Sequence, residues 1–364
     1  MFRLGFIVNP IAGIGGPAGF PGSDGIVEKA IIRGGYPLSP RAAYTFVSRF
    51  SELLEQPGTV EIIAAPSFMG CSYTRLLSRN SVSTICLNEE IVFPTNRSHT
   101  LRYTRVLSRH IDLLVFVGGD GTARDVLEAL EGAPLPVLGV PAGVKIHSGV
   151  FASTPENAAL VAYYFINGRT VLRKRPVLEY LAGKRYHYGD LYVPYVENLI
   201  QPSKSPGCLE GIEGIAEYIR EMMEEELDRV YLFSSGPTIY RIMKYLGLNG
   251  SMFGVDAVFQ GKVIGKQLSE RDILRIIRDH GKPRLVVTPI GGQGFVLGRG
   301  ARAFSSRVLE YLDKEDLIIV APECKMLQLR VLHVDTGDPI LNARFHGYVR
   351  VITGYREETV RKIV

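Results

Sequence analysis

Five consecutive residues of this 364-residue chain, Gly118-Gly119-Asp120-Gly121-Thr122, combine the parts that phosphate chemistry needs. Glycine lets a backbone turn tightly and bring its amides close to an anion. The helix expected to follow turns its positive end towards the same place. Asp120 has three chemical options: holding Mg²⁺, orienting a water, or taking a proton from an attacking hydroxyl. A tight turn with an ordinary Asp is the plainer alternative. The full string between an apolar strand and a helix outweighs it.

Other positions are of similar interest. Lys145 and His147 follow the fifth expected strand, where Lys145 suits a phosphate and His147 is either a general base or a simply hydrogen-bonded ring. Ser235, Gly236 and Thr238, between a strand and a helix, are equally a second anion site or a capped helix. Asp256 lies on a strand, where a buried carboxylate needs a partner and an exposed edge position needs none; the edge position is favoured. The glycine-dense stretch from Gly291 and Gly292 to Gly300 carries Arg299, with Arg302 just beyond. Two arginines there suit a bidentate phosphate clamp, against a flexible surface loop with solvated charges. Glycine at that density costs folding entropy, which favours ligand binding. Asp24, inside an earlier Gly-rich stretch, is a further acceptor or phosphate candidate.

These residues need elements to hold them. Strands are expected at Arg3–Val8, Val60–Ala64, Ser83–Leu87, Asp112–Val117 and Pro136–Val140. Helices are expected between them, including one from Ser39-Pro40 with Ser39 as its cap. That alternation predicts a doubly wound parallel sheet with helices on both faces, and ligands at the strands' carboxyl ends. The rhythm changes afterwards. The chain is therefore divided into a nucleotide-binding α/β domain over residues 1–148 and a mixed α/β domain over 149–364, whose last strands are candidates to return to the first.

Composition narrows the function. Hydrophobic residues make up 46% and charged residues 22%, which excludes an intrinsically disordered chain. No apolar run approaches the ~20 residues of a membrane-spanning helix, and the N-terminus has no secretory pattern, so the cytosol is the expected location. The net charge of +5 suits an anionic small ligand better than a nucleic acid. Arg102, Arg105 and Arg109 share one helical face and read as solvated. Cys71, Cys86, Cys208 and Cys324 are not at metal-ligand spacing, which argues against both a zinc site and a disulfide framework. Asn and Gln total 15 and Trp is absent, a lean towards a thermophilic source.

Gly118-Gly119-Asp120-Gly121-Thr122 resembles the signature of the superfamily that holds NAD kinase, diacylglycerol kinase and sphingosine kinase. Asn9-Pro10 before a Gly-rich loop fits the same group. The strings from Gly119 to Asp125, Gly139 to Ser148 and Thr288 to Gly294 are similar to the ATP-NAD kinase-like branch with the AcoX-type proteins. The resemblance spans Asn9 to Gly354. It implies an ATP- and Mg²⁺-dependent kinase with NAD as default acceptor, the alternatives being another small hydroxylated metabolite or a non-catalytic nucleotide-binding regulator. It implies an essential Asp120 acting on the acceptor hydroxyl or the metal, and phosphate contacts from Gly118, Gly119, Gly121 and Thr122. Asn9 takes a nucleotide-binding or loop-organising role. Further metal ligands stay open. Expected partners are the small-molecule substrates and further copies of the chain, with neither nucleic acid nor membrane. Two departures stand out: the Asn-Glu pair that follows this loop in NAD kinases is missing, and Thr288-Pro289-Ile290-Gly291-Gly292 replaces their Thr-Pro-Thr-Gly-Ser.

Overall fold

The computed structural model describes residues 1–364 other than 21, 24, 55–57, 76–81, 90, 92, 145, 182–183, 198, 202–210 and 300–301. The chain groups into two compact units, Met1–Gly13 with Pro37–Ser203 and Ile14–Tyr36 with Lys204–Val364. This division differs from a break after residue 148. Val150, Phe151, Val177, Leu191 and Val193 are buried in the first core, so the segment beyond 148 belongs with the first sheet. The Gly-rich segment belongs with the second unit, where the Glu270 amide donates to the Pro17 carbonyl at 2.8 Å.

The first unit has the expected parallel sheet. Its strands are β1 (Phe2–Val8), β2 (Val60–Ala64), β3 (Val82–Cys86), β4 (Leu113–Gly118) and β5 (Val137–Pro141). They run in the order β3-β2-β1-β4-β5, all parallel. β4 is buried throughout, as a strand covered on both faces must be, and that is why it reads as a continuous apolar run. The Ser39–Leu53 helix turns Ala42, Ala43, Phe46, Val47 and Phe50 inward at three- and four-residue spacing. Phe46 stacks on both Phe6 and Phe50 with ring centroids 5.6 Å apart in each case. Leu38 is the cap of this helix and Ser39 its first residue, so Ser39 does not cap as expected. An antiparallel hairpin pairs β6 (Val171–Leu181) with β7 (Lys184–Tyr195).

A disulfide joins Cys71 and Cys86, against the expectation of none. Cys71 lies just beyond β2, and Cys86 is the last residue of β3. Because the two strands run parallel in register, with Ala64 opposite Cys86, their carboxyl ends meet. The Cα atoms stand 5.4 Å apart across a separation of 15 residues. Cys324 is also disulfide-bonded. Among the described residues no cysteine is free, and no helix is long and apolar enough to cross a membrane.

The second unit is built on a mixed nine-stranded sheet. In chain order its strands are β8 (Tyr231–Phe233), β9 (Asp256–Phe259), β10 (Lys262–Gly265), β11 (Arg284–Val287), β12 (Phe295–Leu297), β13 (Leu317–Val320), β14 (Val331–Val334), β15 (Gly347–Gly354) and β16 (Glu357–Ile363). The order is β10-β9-β8-β11-β13-β15-β16-β14-β12, so the last two strands stay within this sheet. Side chains alternate between its faces. Leu232, Leu285, Val287, Ile319 and Val351 enter one core, while Tyr231, Phe233, Val286, Ile318 and Ile352 enter the other.

Candidate active site

The strand order of the first unit reverses between β1 and β4, which makes their carboxyl ends a topological switch point. Both Asn9 and the Gly118–Thr122 turn fall there. The Asn9 backbone amide donates to the Val117 carbonyl at 2.9 Å, and its side-chain Nδ2 donates to Thr122 Oγ1 at 3.1 Å. Gly118 is glycine for a steric reason, since a Cβ there would stand 2.4 Å from Thr122 Oγ1. The amides of Ala142 and Gly143 both donate to the Gly118 carbonyl, at 2.8 and 3.1 Å, and so fix the chain beyond β5 against the turn.

Asp120 is the first residue of the Asp120–Leu130 helix, and Gly121 and Thr122 lie in its first turn. The Asp120 side chain is buried, with 8% exposure. Its Oδ2 accepts the backbone N–H of His147 at 2.8 Å and its Oδ1 that of Ser148 at 3.0 Å. Burial pushes its pKa up to about 7, outweighing those bonds, with a further upward push from Glu179. Glu179 on β6 is itself paired with Arg124, whose Nη1 donates to Glu179 Oε2 at 2.7 Å. His147 thus meets Asp120 through its backbone N–H. Lys145 and Asp24 lie outside the described residues.

Three groups of sequence candidates of the second unit lie at or beyond the ends of neighbouring strands. Ser235, Gly236 and Thr238 follow β8; Gly291 and Gly292 follow β11; the two strands are parallel neighbours. Asp256 opens β9 opposite Phe233, the last residue of β8. The Gly236 amide donates to the Met252 carbonyl at 3.1 Å, so that amide at the Pro237–Tyr245 helix terminus is already used. Asp256 is buried rather than at an exposed edge. It accepts the amides of Ser251 and of Gln267, the latter at 2.9 Å, and so ties two loop segments together.

The stretch after Gly291 is not a plain loop, because it contains β12, paired with β14. A Cβ at Gly298, whose φ is +83°, would stand 1.6 Å from the Asp335 carbonyl oxygen. Close backbone packing therefore explains that glycine without a ligand. Arg299 is buried, 4% exposed. Its guanidinium lies 4.1 Å from the Phe295 ring centroid, and its Nε lies 3.6 Å from Asp335 Oδ2. Burial lowers its pKa to about 10, with Arg302 contributing, and burial also lowers that of Arg302. Neither is a solvated surface charge.

Sequence reasoning missed Ser148, Glu179 and Asp335. Ser148 closes the Gly139–Ser148 string, so a signal was present. Asp335 also left one, an acid directly after a strand. Glu179 left none, being one polar residue in a hairpin.

An acid held at the switch point of a doubly wound sheet, beside a glycine turn and a helix N-terminus, defines a class of nucleotide-handling α/β proteins. The family model described as the ATP-NAD kinase N-terminal domain matches residues 4–170, and that of the ATP-NAD kinase C-terminal domain matches residues 228–363. The chain belongs to the ATP-NAD kinase family. No curated protein matches it. Two solved Bacillus anthracis str. Sterne structures, both described as diacylglycerol kinases, are similar at 13% identity with TM-scores of 0.25 and 0.23. Each match covers 51% of this chain and less than half of the other, 45% and 47%.

Proposed function

We propose that this chain transfers the γ-phosphoryl group of ATP to a hydroxyl of a small acceptor, with NAD as the first candidate and NADP and ADP as products. The observation that supports this most is the seat of Asp120: a carboxylate withdrawn from water, fixed by two backbone amides, at the sheet's switch point. A carboxyl group with a pKa of about 7 has the proton affinity that accepting a hydroxyl proton near neutral pH requires.

The residues present fit the nucleotide. A Cβ at Gly119 would come within 3.1 Å of the Gly143 Cα, so glycine lets the turn pack closely against the chain beyond β5, and the phosphate oxygens are proposed to approach beside it. Gly118, Gly119, Gly121 and Thr122 line that approach in the proposal, with Asn9 holding Thr122 in place and Lys145 as an added cation. No group of three or more His, Cys, Asp or Glu suited to a metal occurs among the described residues. Mg²⁺ is commonly held by one or two carboxylates plus phosphate oxygens, and Asp120 suits that role. When bound, ATP and Mg²⁺ supply the phosphoryl group and neutralise its charge. Asp120 orients the acceptor hydroxyl or takes its proton. Ser148 and His147 keep the carboxylate aimed.

Ser235, Gly236, Thr238, Gly291, Gly292 and Arg299, with Asp24, are proposed as an acceptor or phosphate site of the second unit in its own right. Asp256 stands behind them, tying two loop segments together through the amides of Ser251 and Gln267. With ATP and NAD as substrates, the cytosol is the proposed location. A second reading, a kinase of the AcoX-type branch acting on another hydroxylated metabolite, is favoured by the missing Asn-Glu pair. The test measures ADP release with ATP, Mg²⁺ and a panel of NAD, sugars and polyols. Acceptor-dependent release supports phosphoryl transfer and names the acceptor. No release with any acceptor, alongside clear ATP binding, leaves a nucleotide-binding regulator instead.

A further inference from the structure

We infer that two complementary patches of the second unit pair two copies of this chain about a two-fold axis: an acid-flanked apolar knob at Leu227 and a cation-rimmed apolar hollow on β14, β16 and β15. The inference does not rest on the phosphotransfer reading, since none of these residues belongs to the proposed sites.

One face of the nine-stranded sheet is only partly covered. The Ile212–Glu225 helix shares a core with it, where Ile215 and Ile219 join Tyr231, Val286, Ile318 and Ile352. On β15, Tyr348 and Arg350 point to that same side, because Val349 and Val351 enter the opposite core. The register sets Lys362 of β16 opposite both Tyr348 and Val331 of β14, and Val360 opposite Arg350. There the face is bare, with Tyr348 71% and Val360 57% exposed. A hollow of about 320 Å³ opens on it, with Met326, Leu329 and Val360 among its apolar lining. Arg330, Arg361 and Lys362 also line it, with no carboxylate among the described lining residues. Arg361 donates to the carbonyls of Leu329 and Met326, at 2.9 and 3.2 Å, and so fixes one wall. Arg330 and Lys362 are exposed and form no ion pair with any described residue.

The knob follows the Ile212–Glu225 helix. Leu227 is 58% exposed. Glu224, Glu225 and Asp228 flank it in sequence, all exposed and none ion-paired with a described residue. Like charges this close repel one another, and a cationic partner relieves that. The segment is anchored, because the Tyr231 hydroxyl at the start of β8 bonds the Met222 carbonyl at 2.9 Å and the Glu226 carboxylate at 2.8 Å.

The placement of the two patches makes a second copy the occupant. β8, β11, β13 and β15 are parallel neighbours, so the start of β8, shortly after Leu227, and the start of β15, at Tyr348, lie at the same end of the sheet. The helix leading to Leu227 covers the same face that Tyr348 points to. A two-fold axis between the patches carries each Leu227 to the other copy's hollow, so that both contacts form at once and the assembly closes. Apolar surface then meets apolar surface at the centre, and acids meet cations at the rim, as in stable interfaces. Hollow on hollow or knob on knob would set like charges against each other.

The test is the oligomeric state of the full chain, by size-exclusion chromatography with light scattering and by sedimentation. Four samples are compared: the wild type, a knob variant (Glu224→Lys with Glu225→Lys), a hollow variant (Arg330→Glu with Lys362→Glu) and an equal mixture of the two variants. All four positions are exposed, and an unchanged Tm checks that each variant folds. Should a double variant unfold, Glu224→Lys and Lys362→Glu singly carry the same comparison. The wild type should dimerise within the micromolar range that weak interfaces of ordinary size reach. Each variant alone should raise the dimer Kd by roughly ten-fold or more, because like charges then face each other at both contacts. The mixture should form a one-to-one heterodimer, since reversed knob meets reversed hollow and native knob meets native hollow. The inference is overturned by a wild type that stays monomeric across that range, which leaves the hollow to a different acidic partner. It is equally overturned by variants that dimerise as the wild type does, or by a mixture that stays monomeric.

Discussion

Ser148 holds Asp120 by its backbone N–H, 3.0 Å from Oδ1, while its hydroxyl is tied to another element. That hydroxyl donates to the Leu178 carbonyl and accepts the Leu178 amide, each at 3.0 Å. The hairpin strand β6 is thereby coupled to the aim of the carboxylate. Ser148→Ala removes the hydroxyl and keeps the backbone bond. It leaves the Leu178 amide and carbonyl without that partner, at a cost of about 1–3 kcal/mol. The expected result is a lower Tm and a kcat loss larger than any change in the KM for ATP. An unchanged kcat would show that Asp120 is aimed without the hairpin.

Asp120 also sets a pH dependence. Its pKa is near 3.8 unfolded and about 7 folded, so the folded state keeps the proton longer. The stabilisation is complete below the unfolded pKa and is lost as pH rises through the folded one. At about 1.4 kcal/mol per unit, the loss between pH 4 and pH 7.5 reaches at most about 4 kcal/mol. Asp120→Asn should flatten that slope in denaturant titrations and leave the protein folded. An equally steep slope in the variant would assign the dependence to other groups.

The Asn9–Thr122 bond joins the end of β1 to the first turn of the Asp120–Leu130 helix at the switch point. A double-mutant cycle with Asn9→Ala and Thr122→Ala should show a coupling of roughly 1 kcal/mol in stability. In the proposed function, each variant also raises the KM for ATP. Strictly additive effects would mean the bond does not organise the turn.

What the sequence reveals of this site is its contiguous part. Gly118 to Thr122 carries its chemistry in five adjacent residues, and β4 before it is a buried parallel strand with an unbroken apolar signal. Contacts made by distant segments leave no such mark. Cys71 meets Cys86 only because β2 and β3 are parallel and in register, and Arg299 meets Asp335 only because β12 pairs with β14. β12 itself is three residues between glycines, which read as a loop. β16 has one exposed face, and its Glu, Arg and Lys residues dilute the alternation that would announce a strand. Asp256 misled for a similar reason, since its amide partners lie in flanking loops.

The disulfide makes a separate prediction. A closed loop of about 15 residues restricts the unfolded chain by roughly 3 kcal/mol in the entropic account. Cys71→Ser with Cys86→Ser should lower stability by an amount of that order, as should full reduction of this bridge. Equal denaturation midpoints with and without it would show that the bridge adds nothing to the folded state.

Two glycines separate backbone strain from collision. Gly25 has φ +66° with nothing within 4 Å of a Cβ, whereas a Cβ at Gly298 would collide with the Asp335 carbonyl. Gly25→Ala should cost only about 1–2 kcal/mol, the ordinary price of a left-handed residue. Gly298→Ala should cost clearly more, because the β12 or β14 backbone must move. Equal melting temperatures for the two variants would contradict the close packing of these strands.

The proposed function is tested most directly by incubating pure protein with ATP, Mg²⁺ and NAD and measuring NADP over time. The account predicts sustained NADP formation by the wild type and none by Asp120→Asn, with both proteins folded. No NADP from the wild type, or undiminished NADP from Asp120→Asn, would contradict it.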